Sequence, residues 1–164
     1  MLGTTFSKQN TDWNVYAEAV EWCNTNNARI VEYDDCYKVE AIPPLTFEEQ
    51  KQAKLNNLVG AFYARVQGSF KTSQGYTMQF DTSDSRKMQG AVQLLEATGQ
   101  TEGYITQADD TTVYHVPLAA MKAVLVEMLA AYAACHARRQ ELRAQINAAQ
   151  TEEELNAITI DWPV

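Results

Sequence analysis

Between Pro117 and Ala149 apolar side chains return at alternating steps of three and four: Leu118, Met121, Leu125, Met128, Tyr132, Cys135, Leu142, Ile146 and Ala149, with Arg139 in the one polar place. That period sets all ten on one stripe of an α-helix. Pro117 suits the first helical position, where a missing N–H costs nothing. As far as Cys135 the only charges are Lys122 and Glu127, and Val124, Val126 and Leu129 widen the stripe, so this half is expected to be buried by other elements of the chain. From His136 onward Arg138, Glu141 and Arg143 crowd the other faces and leave a narrow seam. Two readings fit that seam: an ordinary core helix, or a coiled segment that pairs with one partner or a second copy.

The pattern ahead of this helix alternates between two periods. Thr11 or Asp12 caps a short helix bearing Trp13, Tyr16, Val20 and Cys23. Residues Arg29 to Tyr33 and Cys36 to Ile42, rich in β-branched and aromatic side chains around Asp34-Asp35, read as a hairpin. Two strands alone are marginal in water, so the hairpin must lean on the Trp-bearing helix, the main domain or another subunit. Pro43-Pro44 bars helix until Thr46, and Thr46-Phe47-Glu48-Glu49 has the spacing of a capping box. The helix that follows shows Leu55, Leu58, Val59, Phe62 and Val66 on one face and stops at Gly68; Gly60 inside it suggests close approach of another backbone, or is simply tolerated.

Over 69–81 the period drops to two, with Tyr76, Met78 and Phe80 on one face of a strand that follows the turn residues Ser73 to Gly75. Thr82, Ser83 or Asp84 caps a helix with Met88, Val92 and Leu95 on its apolar face, closed by Thr98-Gly99. Strands at Gly103 to Ala108 and Thr112 to Val116 flank the turn Asp109-Asp110-Thr111. After the long helix, Thr151 to Glu154 repeats the capping-box spacing, and the chain ends in Asp161-Trp162-Pro163-Val164.

This order predicts an α+β fold: a small, mostly antiparallel three-stranded sheet packed with helices, one long C-terminal helix, and an N-terminal helix and β-hairpin. The expected division is a module over 1–42, a proline linker over 43–45 and a main domain over 46–164.

Charge and cysteine content narrow the partners. A net charge of −8 argues against nucleic acid and anionic membrane surfaces, which are bound by clustered Lys and Arg. No signal-peptide core is visible, and no apolar stretch is read as reaching the ~20 residues of a membrane span. Cys23, Cys36 and Cys135 are odd in number and lack a CxxC, so they read as free thiols in a cytoplasm or in a particle assembled there.

The motif order adds a resemblance. Pro43-Pro44-Leu45-Thr46-Phe47-Glu48-Glu49-Gln50-Lys51, then Thr72-Ser73-Gln74-Gly75-Tyr76, then Met88 to Leu95 closed by Glu96-Ala97-Thr98-Gly99, are its first half. Val116-Pro117-Leu118, Arg143 to Ala149 and Thr151 to Leu155 are its second. Together they resemble a phage-encoded domain family of unknown function found in tail-fibre and tail-assembly loci, over about 46–162. The resemblance implies an accessory tail-fibre component or a fibre-assembly chaperone, located in the virion tail or in the host cytoplasm during assembly. It carries over no catalytic residues, and residues 1–42 fall outside it.

The residues that could carry chemistry have structural readings. His115 and His136 have no neighbour at ligand spacing. Asp81, Ser83 and Asp84 lack the glycine and closing glutamate of a calcium loop and suit helix capping, while Asp34-Asp35 and Asp109-Asp110 stand where turns need them. Phe70, Tyr76, Tyr104 and Tyr114 lack the basic neighbours of a base-stacking platform. No GxGxxG, P-loop or GxSxG is present.

The expectation is therefore a non-enzymatic protein without catalytic, cofactor or metal residues, which works by binding a tail-fibre or baseplate protein, its seam pairing across either a fibre contact or the subunit contact of a homo-oligomer. The expected interface is Arg139, Leu142, Ile146 and Ala149 on the seam, with Trp13, Trp22 and Trp162 as aromatic anchors. The alternative, motivated by net charge and small size, is an acidic phage-encoded inhibitor of a host or defence protein.

Overall fold

The computed structural model describes residues 1–163, so Val164 lies outside the described residues. The chain forms two compact units, Met1–Thr46 and Phe47 onward.

In the first unit, β1 (Thr5–Ser7), α1 (Trp13–Thr25), β2 (Ala28–Glu32) and β3 (Cys36–Ala41) make a helix over an antiparallel sheet of order β1-β3-β2. Asp12 caps α1 by accepting from the N–H of Asn14 at 3.0 Å. The hairpin is not left to stand alone. β1, too short at three residues to show a period, adds a third strand, and α1 covers the sheet through Phe6, Ala19, Cys23, Ala28 and Val39. Tyr16 packs edge-on against both Phe6 and Tyr37, at 5.6 and 5.4 Å between ring centres. The apolar face of α1 therefore runs through Tyr16, Ala19 and Cys23, and Val20 and Trp13 lie exposed.

The second unit contains α2 (Phe47–Gln67), β4 (Ser69–Lys71), β5 (Thr77–Gln79), α3 (Thr82–Thr98), β6 (Glu102–Thr106), β7 (Val113–Pro117), α4 (Leu118–Ala148) and α5 (Glu152–Ala157). The architecture is α+β with small antiparallel sheets and a long C-terminal helix. The three-stranded sheet belongs to the first unit; here the strands form two ribbons, β4-β5 and β6-β7. The segment expected as one strand over 69–81 is itself a hairpin, folded about Thr72 to Gly75.

Helix α4 runs unbroken for 31 residues. Pro117 closes β7 and is the N-cap of α4 rather than its first helical residue, because Leu118 N–H is taken by Thr101 O at 2.8 Å as the strand ends. The cap of α3 is Asp81, one residue earlier than expected, accepting from Asp84 N–H at 2.8 Å. At its far end Gly99 takes a left-handed φ of 68° and donates to Glu96 O. Thr151 caps α5 through Glu154 N–H at 3.2 Å, and Glu154 reaches back to Gln150 N–H at 2.7 Å.

Two cores lie along α4. Met121, Val124, Met128, Ala131 and Cys135 meet Phe62 and Val66 of α2, Met88 and Val92 of α3, and Met78, Ile105 and Val116 of the ribbons. Further on, Leu142, Ile146 and Ala149 meet Leu58 of α2 and Leu155 of α5. At Gly103 β6 comes close to side chains of α3 and α4: a Cβ there would stand 2.6 Å from Leu95 Cδ1 and 2.7 Å from Met121 Sδ. Gly60 has no atom within 4 Å of such a position, so no backbone approaches it and it is the tolerated kind.

One expectation about α4 is overturned. By length and composition it is long and apolar enough to cross a membrane, because alanine, valine, leucine and methionine outweigh Lys122 and Glu127. Met121, Val124, Met128 and Cys135 of that same stretch lie in the unit's core.

Candidate functional site

The expected interface residues fall into three different settings. Leu142 and Ile146 are 0% exposed and Ala149 is buried, all packed within the same unit. The narrow seam is thus filled by α2 and α5 of the same chain, and these three residues are not open to a second copy. Arg139 stays half-exposed, with its guanidinium 4.8 Å above the ring of buried Phe62. Trp162 is half-buried against the same ring, 5.9 Å between centres, tying the chain's end to α2. In the other unit Trp22 is half-buried against its core, and Trp13 is 67% exposed.

The far end of α4 owes its position to polar contacts as well. The last carbonyls of a helix lack intrahelical partners. Lys51 Nζ donates to Asn147 O at 3.0 Å and to Ala149 O at 3.1 Å, where its charge also suits the helix dipole. Lys54 Nζ donates likewise to Leu155 O of α5. Gln50 Nε2 reaches Glu152 Oε1 at 2.8 Å, and Arg138 is held by Asp161 at 2.6 Å and Glu141 at 3.1 Å.

The titratable groups picked out by sequence are used in turns and surface pairs. Asp109 accepts from the hydroxyl and N–H of Thr112 and the N–H of Thr111, which holds its carboxyl down at about 2. His115 lies 3.5 Å from Glu102, and His136 packs near Phe62 and Tyr132. Burial raises the Cys135 thiol, and burial followed by Asp35 raises that of Cys36. Tyr33 and Lys38 donate to Glu40 and lower its carboxyl. Among the described residues no three His, Cys, Asp or Glu side chains cluster to hold a metal ion.

Two surfaces were not singled out from the pattern. On α4, Val126 is 66% and Leu129 47% exposed, the opposite of the burial expected for them. Val126 belongs to a second run at steps of three and four, Ala119, Ala123, Val126, Ala130, Ala133 and Ala137, all of them exposed. Alanine hides such a run from any count of large apolar residues, and the signal was its period alone. The second surface is a cleft of about 340 Å³ between the two ribbons, bordered by Met78, Gln79, Met88, Tyr104, Thr106 and Met128.

These features define a small α+β domain built on a single helical spine, with apolar surface left on the outer side of that spine. Residues 49–159 match DUF4376, a domain of unknown function, and because that span is most of the 164 residues the chain belongs to this family. No curated protein and no solved structure matches the chain.

Proposed function

We propose that this is a non-enzymatic, phage tail-associated protein, an accessory component of the tail fibre or a chaperone of its assembly, which acts by binding a fibre or baseplate chain. The observation that carries the binding mode is the outer face of α4, where Val126, on a continuous apolar run, and Leu129 beside that run stand in water. Burying each against a partner is worth roughly 1.5–3 kcal/mol. The phage setting is supported by the order of motifs from Pro43-Pro44 to Thr151 to Leu155. The partner is protein rather than lipid, since the inward residues of α4 already serve the core. Its place is the virion tail, or the host cytoplasm while tails assemble.

Mass spectrometry of purified particles, together with affinity capture against the neighbouring fibre and baseplate chains, tests this. A fibre component is found in the particle; a chaperone is absent from it but bound to the fibre chain in the lysate. A chain found in neither state, and made early in infection, would overturn the proposal in favour of an inhibitor.

A further inference from the structure

Two strand edges face each other in the second unit without pairing. Across the first turn Thr72 N–H donates to Tyr76 O at 2.8 Å, so by antiparallel alternation Phe70 and Met78 bond across the ribbon, and Thr77 and Gln79 turn their N–H and C=O groups outward. Thr77 shows the direction: its carbonyl accepts from Ala108 N–H at 2.9 Å and its N–H donates to Gln107 Oε1 at 2.8 Å. In the other ribbon Gln107 N–H donates to Thr112 O at 2.9 Å and Leu118 N–H to Thr101 O at 2.8 Å. The same alternation turns Tyr104 and Thr106 outward, in line with Ala108.

The ribbons therefore meet at Thr77 and Ala108 and form no common sheet. Among the described residues, no backbone partner meets Gln79, Tyr104 or Thr106 on that outer side. The cleft opens between these edges, with Met78, Met88 and Met128 among its walls. An exposed strand edge is a template for another chain, and methionine adapts its shape to whatever enters.

We propose that this cleft takes an extended segment of a partner protein as an intervening strand. Its backbone would pair with the free edges, and apolar side chains at alternate positions would rest on the methionines. The free edge from Tyr104 to Thr106, short of Ala108 where the ribbons already meet, is ~7 Å long at ~3.3 Å per residue, which pairs about three residues of the entering segment. Asp84, Lys87 and Asp110 border the cleft with both signs of charge, so pairing is set by backbone and apolar pattern rather than by net charge. This rests on the reading that the chain works by binding protein, and not on its placement in a tail.

The test is a titration of the full chain, labelled with nitrogen-15, with a capped peptide of about five residues alternating threonine and leucine. The expected result is saturable shifts centred on the amides of Gln79, Tyr104 and Thr106. N-methylation of the peptide amides that face the edges should weaken binding about tenfold for each 1.4 kcal/mol of hydrogen bonding lost. Ala91→Trp, at an exposed helical position on the cleft wall, should abolish binding in a chain that keeps its helical spectrum. No saturable shift at these amides in the folded protein, or equal binding by the N-methylated peptide, would overturn the proposal. Peptide binding by a chain absent from particles and fibres would instead remove only the tail assignment.

Discussion

The two ends of α4 are buried by different means. Near its start the helix meets α2, α3 and both ribbons, and the packing is tight enough that Gly103 leaves no room for a methyl group. Near its end it meets α2, α5 and the segment that follows α5, through Leu58, Leu155, Ile158 and Ile160, and Lys51 from α2 holds the terminal carbonyls. A narrow apolar seam is thus as much core as a wide one when few elements cover it. The breadth of a stripe reports how many neighbours surround a helix, not whether they belong to another chain.

The comparison is broken most forcefully by truncating the far seam. Leu142→Ala and Ile146→Ala should each cost about 2–5 kcal/mol in denaturant unfolding, like Met121→Ala at the near end. A change in mass by light scattering with little loss of stability would place the seam between chains instead. Gly103→Ala should cost about 1–3 kcal/mol, because Leu95 and Met121 must give way. Lys51→Met should cost about 1 kcal/mol, with faster amide exchange confined to the last turn of α4 and to α5.

Smaller effects sharpen the same contrast. Gly60→Ala, exposed and with open space at its Cβ, should raise stability by about 0.5–1 kcal/mol, the opposite sign to Gly103→Ala. The smallest effect is a pH dependence in the turn between β6 and β7. Asp109 is held at about 2 when folded against an ordinary 3.8, so its contribution is present above the ordinary value and lost as pH falls from there through about 2. The difference in Tm between the native chain and Asp109→Asn should shrink over that interval, and a difference constant with pH would contradict the assignment.

Much of this architecture is legible along the chain because its causes are local. The seam from Leu118 to Ala149, the left-handed Gly99 and the capping of α5 by Thr151 all rest on neighbours within a few residues. What escapes is what depends on distant partners. Leu142 and Leu58 meet across more than half the chain, and nothing in either segment says that the other covers it. β1 and β4 span three residues each, too few to display an alternation, so β1 gives no strand signal and β4 reads as one piece with β5. Val126 and Leu129 look like core by composition; only the placement of Met121, Val124 and Met128 on the opposite face decides which side is wet. The cleft between the ribbons depends on strands that fail to pair, which no residue pattern announces.

The central claim is that the far seam of α4 is closed by its own chain and that binding falls to surfaces elsewhere. Amide hydrogen exchange over 139–149, followed across about a hundredfold range of protein concentration, tests it most directly. Protection unchanged by dilution is the expected result, since every covering side chain is intramolecular. Protection that collapses on dilution, together with a fall in particle mass, would contradict it and return Leu142, Ile146 and Ala149 to a subunit interface.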